Sequence, residues 1–191
     1  MDAFSYLSVM LSIVLGLGLT QLFGGIGNMV RVRRRVEPYW LHTCWVFLLI
    51  LLHLHMWWSF WALRGVKGWT WLTFVYIVIG PASLVIASHI IIPELIEGRI
   101  VVKRHYLDTS PLFFSVLCLA ATWAMFLEPV IGLRAFFVPF RLLQAAGVVT
   151  FGACACSKDK RVHTAAIVVI PTLVAISVAL TRFQIGQFNL R

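Results

Sequence analysis

Charged residues are scarce in this chain. Its 191 residues include 16 Lys and Arg and 7 Asp and Glu, together 12% of the sequence, whereas soluble domains contain about 25%. Hydrophobic residues make up 61%, and the mean hydropathy is +0.92. A globular core in water cannot hide that much apolar surface, but a lipid bilayer can surround it. The composition excludes an ordinary soluble domain and predicts an integral membrane protein.

Carboxylates are missing from the centres of the apolar runs, and signature motifs are missing from the whole chain. Sodium- and proton-coupled transporters often use an intramembrane Asp or Glu, so this pattern disfavours a coupled pump. No P-loop, dinucleotide fingerprint, nucleophile elbow or zinc-ligand spacing is present. We therefore predict no catalytic residue and no metal site. No basic stripe with interleaved aromatic residues is present outside the runs, so nucleic-acid binding is not expected.

Six apolar runs are each long enough to cross a bilayer, which needs about 20 residues. They are continuously apolar, whereas the strands of a membrane barrel would alternate. The sequence therefore predicts an all-α fold, a polytopic bundle of six transmembrane helices in one domain over residues 1–191. The expected spans cover residues 3–30, 39–63, 69–92, 111–127, 135–155 and 162–181. A cytoplasmic loop over 93–110 separates two groups of three spans.

The distribution of Lys and Arg predicts the orientation. Ten of them lie in the segments 31–35, 99–104 and 158–161, and five lie on the opposite side. The richer side should be cytoplasmic, which places both termini outside and gives the two groups of three spans an inverted relationship. Anionic lipid head groups are the expected partners of the basic loops. A multi-pass protein without a eukaryotic sorting signal fits a bacterial inner membrane.

The first span carries small and polar residues at a spacing of four. Small residues let two helices approach closely in lipid, and this spacing keeps them on one slowly turning face. We expect this face to pack tightly and to form a homo-oligomer, or else to face a pore. The packing residues are Ser8, Ser12, Gly16 and Gly24, and the polar lining of a pore would be Thr20, Gln21 and Asn28.

One arginine, Arg141, falls inside the fifth span with Gln144 three residues later. An arginine within a span costs about 2.5–3.5 kcal/mol on insertion scales and normally faces the bundle interior or a wet cavity. Its nearest acidic candidate is Glu128, and reaching towards that carboxylate is one interpretation. The other is a site for an anion or a polar solute, in which Arg141 and Gln144 line the path.

Prolines and histidines give two further hypotheses. Pro81 and Pro171 lie near the middle of the third and sixth spans, and broken helices at corresponding positions of two halves are typical of a transport site. His42, His53 and His89 lie within spans. They are candidates for a proton relay or for ligation of a b-type haem, although structural hydrogen bonding explains them as well. No other cofactor is expected.

Three functions remain open on these grounds. A small channel or facilitator for ions or small polar solutes explains the polar residues inside the spans. An accessory or scaffold subunit without transport would use the Arg31–Arg35 run and the 93–110 loop as docking surfaces. A membrane redox component would use the histidines. The sequence favours the first and identifies no solute.

Overall fold

The computed structural model describes residues 3–66, 68–94, 100–132 and 140–180. These residues form six α-helices and one pair of short parallel strands. The helices are α1 (Ala3–Arg31), α2 (Trp40–Ser59), α3 (Trp71–Ile91), α4 (Val102–Val130), α5 (Phe140–Cys156) and α6 (Lys160–Leu180), and the strands are β1 (Val36–Glu37) and β2 (Ile100–Val101). The prediction of an all-α fold with six helices is confirmed.

Five of the six helices are long and apolar enough to cross a membrane. The exception is α5, whose 17 residues extend about 26 Å at 1.5 Å per residue, just below a hydrocarbon thickness of about 30 Å. The predicted fifth span began at residue 135, and residues 135–139 lie outside the described part of the chain. The sidedness of the bundle stays a prediction.

Helix α4 is much longer than the predicted span over 111–127, because it already begins at Val102. Residues 102–110 were expected to belong to a loop. Val102, Tyr106 and Ser110 are buried at a spacing of four, while charged residues between them are exposed. This is an amphipathic helical pattern, which a search for continuously apolar runs passes over. The connection between the two groups of three helices is therefore shorter than expected.

The packing order places α2 inside the bundle. Helix α1 packs against α2 and α3, α3 against α4, α4 against α5, and α5 against α6, which also packs against α2.

Helices α2, α4 and α6 run in the same direction. We call the end at which these three begin the inner end, which the charge pattern predicts to be cytoplasmic, and the opposite end the outer end.

Four aromatic residues meet in the middle of this group and are called the aromatic layer: Trp45, Phe113, Phe114 and Phe151. The Trp45 ring lies 4.7 Å from the Phe114 ring and 6.2 Å from the Phe151 ring, centroid to centroid. All four side chains are buried. Edge-to-face pairs of this kind contribute about 0.5–1.5 kcal/mol each beyond area burial. The layer joins α2, α4 and α5 through ring-to-ring contacts, and its one buried donor, Trp45 Nε1, has no hydrogen-bond partner among the described residues.

The two mid-span prolines do not interrupt their helices. Pro81 lies within the continuous α3, and Pro171 lies within the continuous α6. The sequence predicted a break at each of them. A proline removes one backbone donor, whereas a broken helix in lipid would leave several backbone groups unsatisfied. The continuous helix costs less, so the comparison with broken-helix transporters does not hold.

Within the described bundle, α1 makes its closest contacts at glycines other than the expected Gly16 and Gly24. Gly18 lies directly against the His53 ring of α2, and Gly25 lies against Ile92. A Cβ atom at Gly16 or Gly24 would meet nothing within 4 Å. The close contacts of α1 with the rest of the bundle are therefore made at Gly18 and Gly25. The face that contains Gly16 and Gly24 is open, and its packing against a second copy stays a prediction. Ser8 donates to the carbonyl of Ser5 within α1, and Ser12 accepts a hydrogen bond from Trp57.

Replacing Gly80 should destabilise the bundle. The Trp123 ring rests directly on Gly80, and its Nε1 donates to the Tyr76 carbonyl at 2.7 Å. Gly80→Leu must displace that ring, so we expect a loss of about 1–3 kcal/mol, measured by thermal or denaturant unfolding in detergent. Gly147→Leu is the matched control, because a Cβ atom there meets nothing within 4 Å. Equal stability of the two variants would contradict the contact.

Candidate functional site

Arg141 forms a buried ion pair with Glu128. Its Nη2 lies 3.1 Å from Glu128 Oε2, and the two side chains are only 6% and 15% exposed. Arg141 Nη1 donates to Gln144 Oε1 at 2.6 Å, and Gln144 Nε2 donates to the Ala124 carbonyl at 3.2 Å. Arg141 Nε is buried without a partner among the described residues. The C-terminal end of α4 and the start of α5 are thereby joined by one polar network.

This geometry contains the contact between Arg141 and Glu128 that one of the two sequence interpretations expected. The arginine reaches Glu128, so the charge inside the bundle is compensated rather than left for a solute. Such a pair has a desolvation cost close to its Coulomb gain, and removing one partner strands the other. Arg141 and Gln144 are confirmed as neighbours, while their role in a solute path stays a prediction.

A cavity of about 220 Å³ lies beside this network, in the outer half of the bundle. Its wall is mainly apolar and comes chiefly from α2, α4, α5 and α6. The polar members of the wall are His55, Ser59, Glu128, Gln144 and Ser177. His55 Nδ1 is buried and has no hydrogen-bond partner in the described ranges. We call this space the outer cavity.

A second cavity, of about 190 Å³, opens between the starts of α2, α4 and α6. Unlike the outer cavity, it is strongly basic. Its lining residues are Tyr39, Leu41, Lys103, Tyr106, Leu107, Lys158, Lys160 and His163. We call it the inner cavity.

The aromatic layer separates the two cavities. Phe151 belongs both to the layer and to the wall of the outer cavity. On the other side, the Phe114 ring lies 5.0 Å from the ring of His163, which lines the inner cavity. The two cavities therefore follow one another along the same helices, with a single layer of rings between them.

Two histidines satisfy the C-terminal end of α3. His42 Nε2 lies 2.8 Å from the Ile91 carbonyl, and His105 Nε2 lies 3.2 Å from the carbonyls of Ile90 and Ile91. A carbonyl only accepts, so both rings donate from Nε2. The last carbonyls of a helix have no partner within the helix, and in an apolar medium they require one.

The candidate haem pair is not assembled. His42 is buried and directed at Ile91, whereas the exposed His89 places its Nδ1 3.0 Å from the Val85 carbonyl of its own helix. The two rings therefore serve separate structural bonds and do not face a shared gap. Within the described residues, no group of three His, Cys, Asp or Glu side chains is arranged to hold a metal ion.

His53 links three helices. Its Nδ1 donates to the Leu49 carbonyl at 2.8 Å. Its Nε2 lies 3.5 Å from the Ser88 hydroxyl, which donates its proton to the Leu84 carbonyl at 2.9 Å, so this approach is a polar contact between α2 and α3. Gly18 of α1 lies against the same ring. The ring fills the space that the missing side chain of Gly18 leaves, which is a structural role. A proton relay through His53 stays an untested prediction.

The polar residues of α1 lie apart from both cavities. Thr20 and Asn28 are exposed, and Asn28 Oδ1 accepts a hydrogen bond from Arg31 at 3.1 Å. Gln21 is half-buried. None of the three lines either cavity. The structure brings Arg141 and Gln144 together and leaves the α1 residues on another side of the bundle.

Sequence reasoning missed most of the cavity walls. His163 and Tyr106 were overlooked because they lay at or beyond the edges of the apolar runs. His55 and Ser59 carry a detectable signal, because polar residues four apart share one helix face. The aromatic layer carries no such signal, since isolated aromatic residues in an apolar helix resemble ordinary lipid-facing ones.

No protein-family model matches the chain, and no curated protein or solved structure matches it. The fold and the site define its class on their own: a polytopic helical membrane protein with a buried ion pair between α4 and α5.

The ion pair is testable by a double-mutant cycle. Arg141→Met or Glu128→Leu alone should cost about 3–5 kcal/mol of unfolding free energy, because each leaves an uncompensated buried charge. The double variant should recover most of that loss, since both charges are then gone. Unfolding in detergent measures all three. Arg104→Met is the control, because its pair with Asp108 spans 3.8 Å with 86% and 67% exposed side chains and should contribute less than about 1 kcal/mol.

Proposed function

We propose that this protein is a facilitator through which ions or small polar solutes cross the membrane, held here in a closed conformation. One observation carries the proposal: two cavities lie at opposite ends of the same helix group, with one layer of aromatic side chains between them. Ligand and solute sites in helical membrane proteins lie between facing helices, at places where polar side chains converge.

The charges favour passive movement over coupled transport. Glu128 is the acidic residue of the outer cavity, and it is already paired with Arg141. A carboxylate that carries a coupling ion or proton must exchange that ion during each cycle, and leaving this pair would strand a buried arginine. The network instead supplies fixed polar contacts from Gln144 and Glu128 at the wall.

The closed layer has space beside it. Gly147 lies one turn before Phe151 on α5, both line the outer cavity, and a Cβ atom at Gly147 would meet nothing within 4 Å. A rotation of the Phe151 ring towards this space opens the layer without bending a helix. Side-chain rotation exposes no backbone group to lipid, which a helix break would do.

A second candidate is an accessory subunit that docks other proteins. The parallel pairing of Val36 with Ile100 and of Glu37 with Val101 joins the Arg31–Arg35 run to the segment before α4. The two sequence segments considered as docking surfaces thus adjoin each other at the inner end. The redox alternative is not proposed, because its histidines serve separate backbone carbonyls.

The proposal also includes the membrane in which the protein lies, its orientation there and its oligomeric state. A multi-pass protein in the bacterial inner membrane would place the inner end in the cytoplasm, beside anionic lipid. The open face of α1 at Gly16 and Gly24 would then pack against a second copy, since small residues favour close helix contact in lipid.

Solute flux tests the function with three variants of α5. Phe151→Ala should raise the permeability of proteoliposomes several-fold above the wild type, because it thins the layer. Gly147→Phe should lower flux by filling the outer cavity. Val149→Ala is the control, because Val149 is 70% exposed and should behave like the wild type. Chloride, phosphate, potassium and glycerol are suitable probes. Flux equal to that of empty liposomes for wild type and Phe151→Ala would overturn the proposal.

The oligomer is tested by native mass spectrometry from nanodiscs. The wild type should appear as a multimer, and Gly16→Leu and Gly24→Leu should shift it towards the monomer by obstructing close contact. Val9→Leu is a control at an exposed position of the same helix. A strictly monomeric wild type would contradict the expected assembly.

A further inference from the structure

The inner cavity is built from the starting ends of three helices. Tyr39 and Leu41 come from the start of α2, Lys103 and Tyr106 from the first turns of α4, and His163 from the first turn of α6. Its volume of about 190 Å³ is large beside the 10–15 Å³ that one water needs. A tetrahedral oxyanion with part of its hydration shell fits such a space.

Three lysines give the inner cavity its charge. Lys103, Lys158 and Lys160 line it, and none forms an ion pair with a carboxylate that the structure describes. Asp159 lies between two of them in the sequence, and its Oδ1 accepts a hydrogen bond from the backbone N–H of Arg161 at 2.8 Å. One nearby carboxylate balances only part of the charge of three lysines. The Lys160 ammonium lies over the Trp40 ring at 5.9 Å, which holds it near the cavity. The site therefore carries an excess of positive charge.

The helix ends add to this field. Helices α2 and α4 begin at the cavity without a side-chain cap, so their first N–H groups have no intrahelical partner and no capping side chain. The start of a helix carries a partial positive charge, roughly half an elementary charge, which favours an anion. Two uncapped helix starts and three lysines thus act on the same space.

The floor of the cavity is fixed by a chain of hydrogen bonds. His163 Nε2 lies 2.7 Å from the Ser157 carbonyl and so donates to it. In the neutral ring, Nδ1 is then an acceptor, and it receives the Tyr106 hydroxyl. Tyr106 and His163 are 0% and 1% exposed. The floor of the cavity is thus made of buried, hydrogen-bonded side chains, and the three exposed lysines stand around its opening.

We propose that the inner cavity is a binding site for a phosphate-type oxyanion. The same chemistry would hold the phosphate of an anionic lipid head group or a free phosphate in solution. Basic pockets between transmembrane helices on the cytoplasmic side are suited to lipid head groups, and the predicted orientation places this cavity there. This binding site does not require the protein to transport anything, because the same side chains would hold a permanently bound phosphate group or a transported one.

Binding is tested on the full-length protein with two probes. One arm titrates inorganic phosphate into protein in detergent, with chloride at matched ionic strength, and records the unfolding temperature. The other counts phospholipids retained in native mass spectra after reconstitution in phosphatidylglycerol or phosphatidylcholine. The test variant combines Lys103→Gln, Lys158→Gln and Lys160→Gln. The control combines Arg31→Gln, Arg33→Gln and Arg34→Gln, which removes the same charge from the same end.

The lysine variant should weaken phosphatidylglycerol retention roughly 100-fold, at about a factor of five for each lysine, because all three charges are removed from the lining of one cavity. The arginine control removes charges that do not line the cavity, so it should lower general attraction to anionic lipid while the lipid bound in the cavity is kept. If phosphate raises the unfolding temperature and only the lysine variant loses this effect, free phosphate is a ligand of the site. If the protein retains phosphatidylglycerol in preference to phosphatidylcholine and only the lysine variant loses this preference, the lipid head group is the ligand. Equal behaviour of the two variants, or no preference over chloride and phosphatidylcholine in the wild type, overturns the site. Neither readout measures flux, so a failed flux assay leaves this result standing.

Discussion

Buried polar groups within the bilayer depend on partners that the protein itself supplies, and most features of this structure follow from that constraint. Among the described residues, three buried atoms lack such a partner: Trp45 Nε1, His55 Nδ1 and Arg141 Nε. Lipid offers no hydrogen bond, so an unsatisfied group costs several kcal/mol. Ser83, Thr122 and Thr150 each donate to the carbonyl four residues earlier in their own helix. Arg141 is paired with Glu128 and Gln144, and the end of α3 is satisfied by two imidazole rings. Side chains that look functional in the sequence are thereby occupied.

The same constraint explains why the two polar-lined cavities lie towards opposite ends of the α2, α4 and α6 group. The outer cavity collects its polar wall near the C-terminal ends of α2, α4 and α6, and the inner cavity collects lysines near their starts. Between them the interior is closed by the four rings of the aromatic layer. A layer of aromatic side chains is a barrier of low cost there, because its pairs gain energy from one another; its one buried polar atom, Trp45 Nε1, has no hydrogen-bond partner among the described residues.

Hydropathy was enough to predict six helices, because each continuous apolar run requires a helix in lipid. It failed at the start of α4. Buried residues recur there every four positions among exposed charged ones, so residues 102–110 were predicted to form a loop. Glu128 could be named as a partner of Arg141 because few acids exist to choose from. The cavities could not be predicted, since they depend on which helices become neighbours. The predicted breaks at Pro81 and Pro171 were wrong for a related reason. The sequence shows that a proline weakens a helix, but it does not show that the surrounding lipid favours the continuous helix.

These observations also constrain how the bundle can open. A hinge at Pro81 or Pro171 would detach backbone bonds in an apolar medium, at several kcal/mol for each group. Moving Phe151 into the free space beside Gly147 keeps the ring in apolar contact and gives up its ring pair with Trp45, worth about 0.5–1.5 kcal/mol. A difference of a few kcal/mol leaves the minor state populated at about 0.1–10%. Ring rotation is therefore the opening step that the proposed facilitator would make at the lowest cost, and α5 carries both the ring and the space that the ring would need.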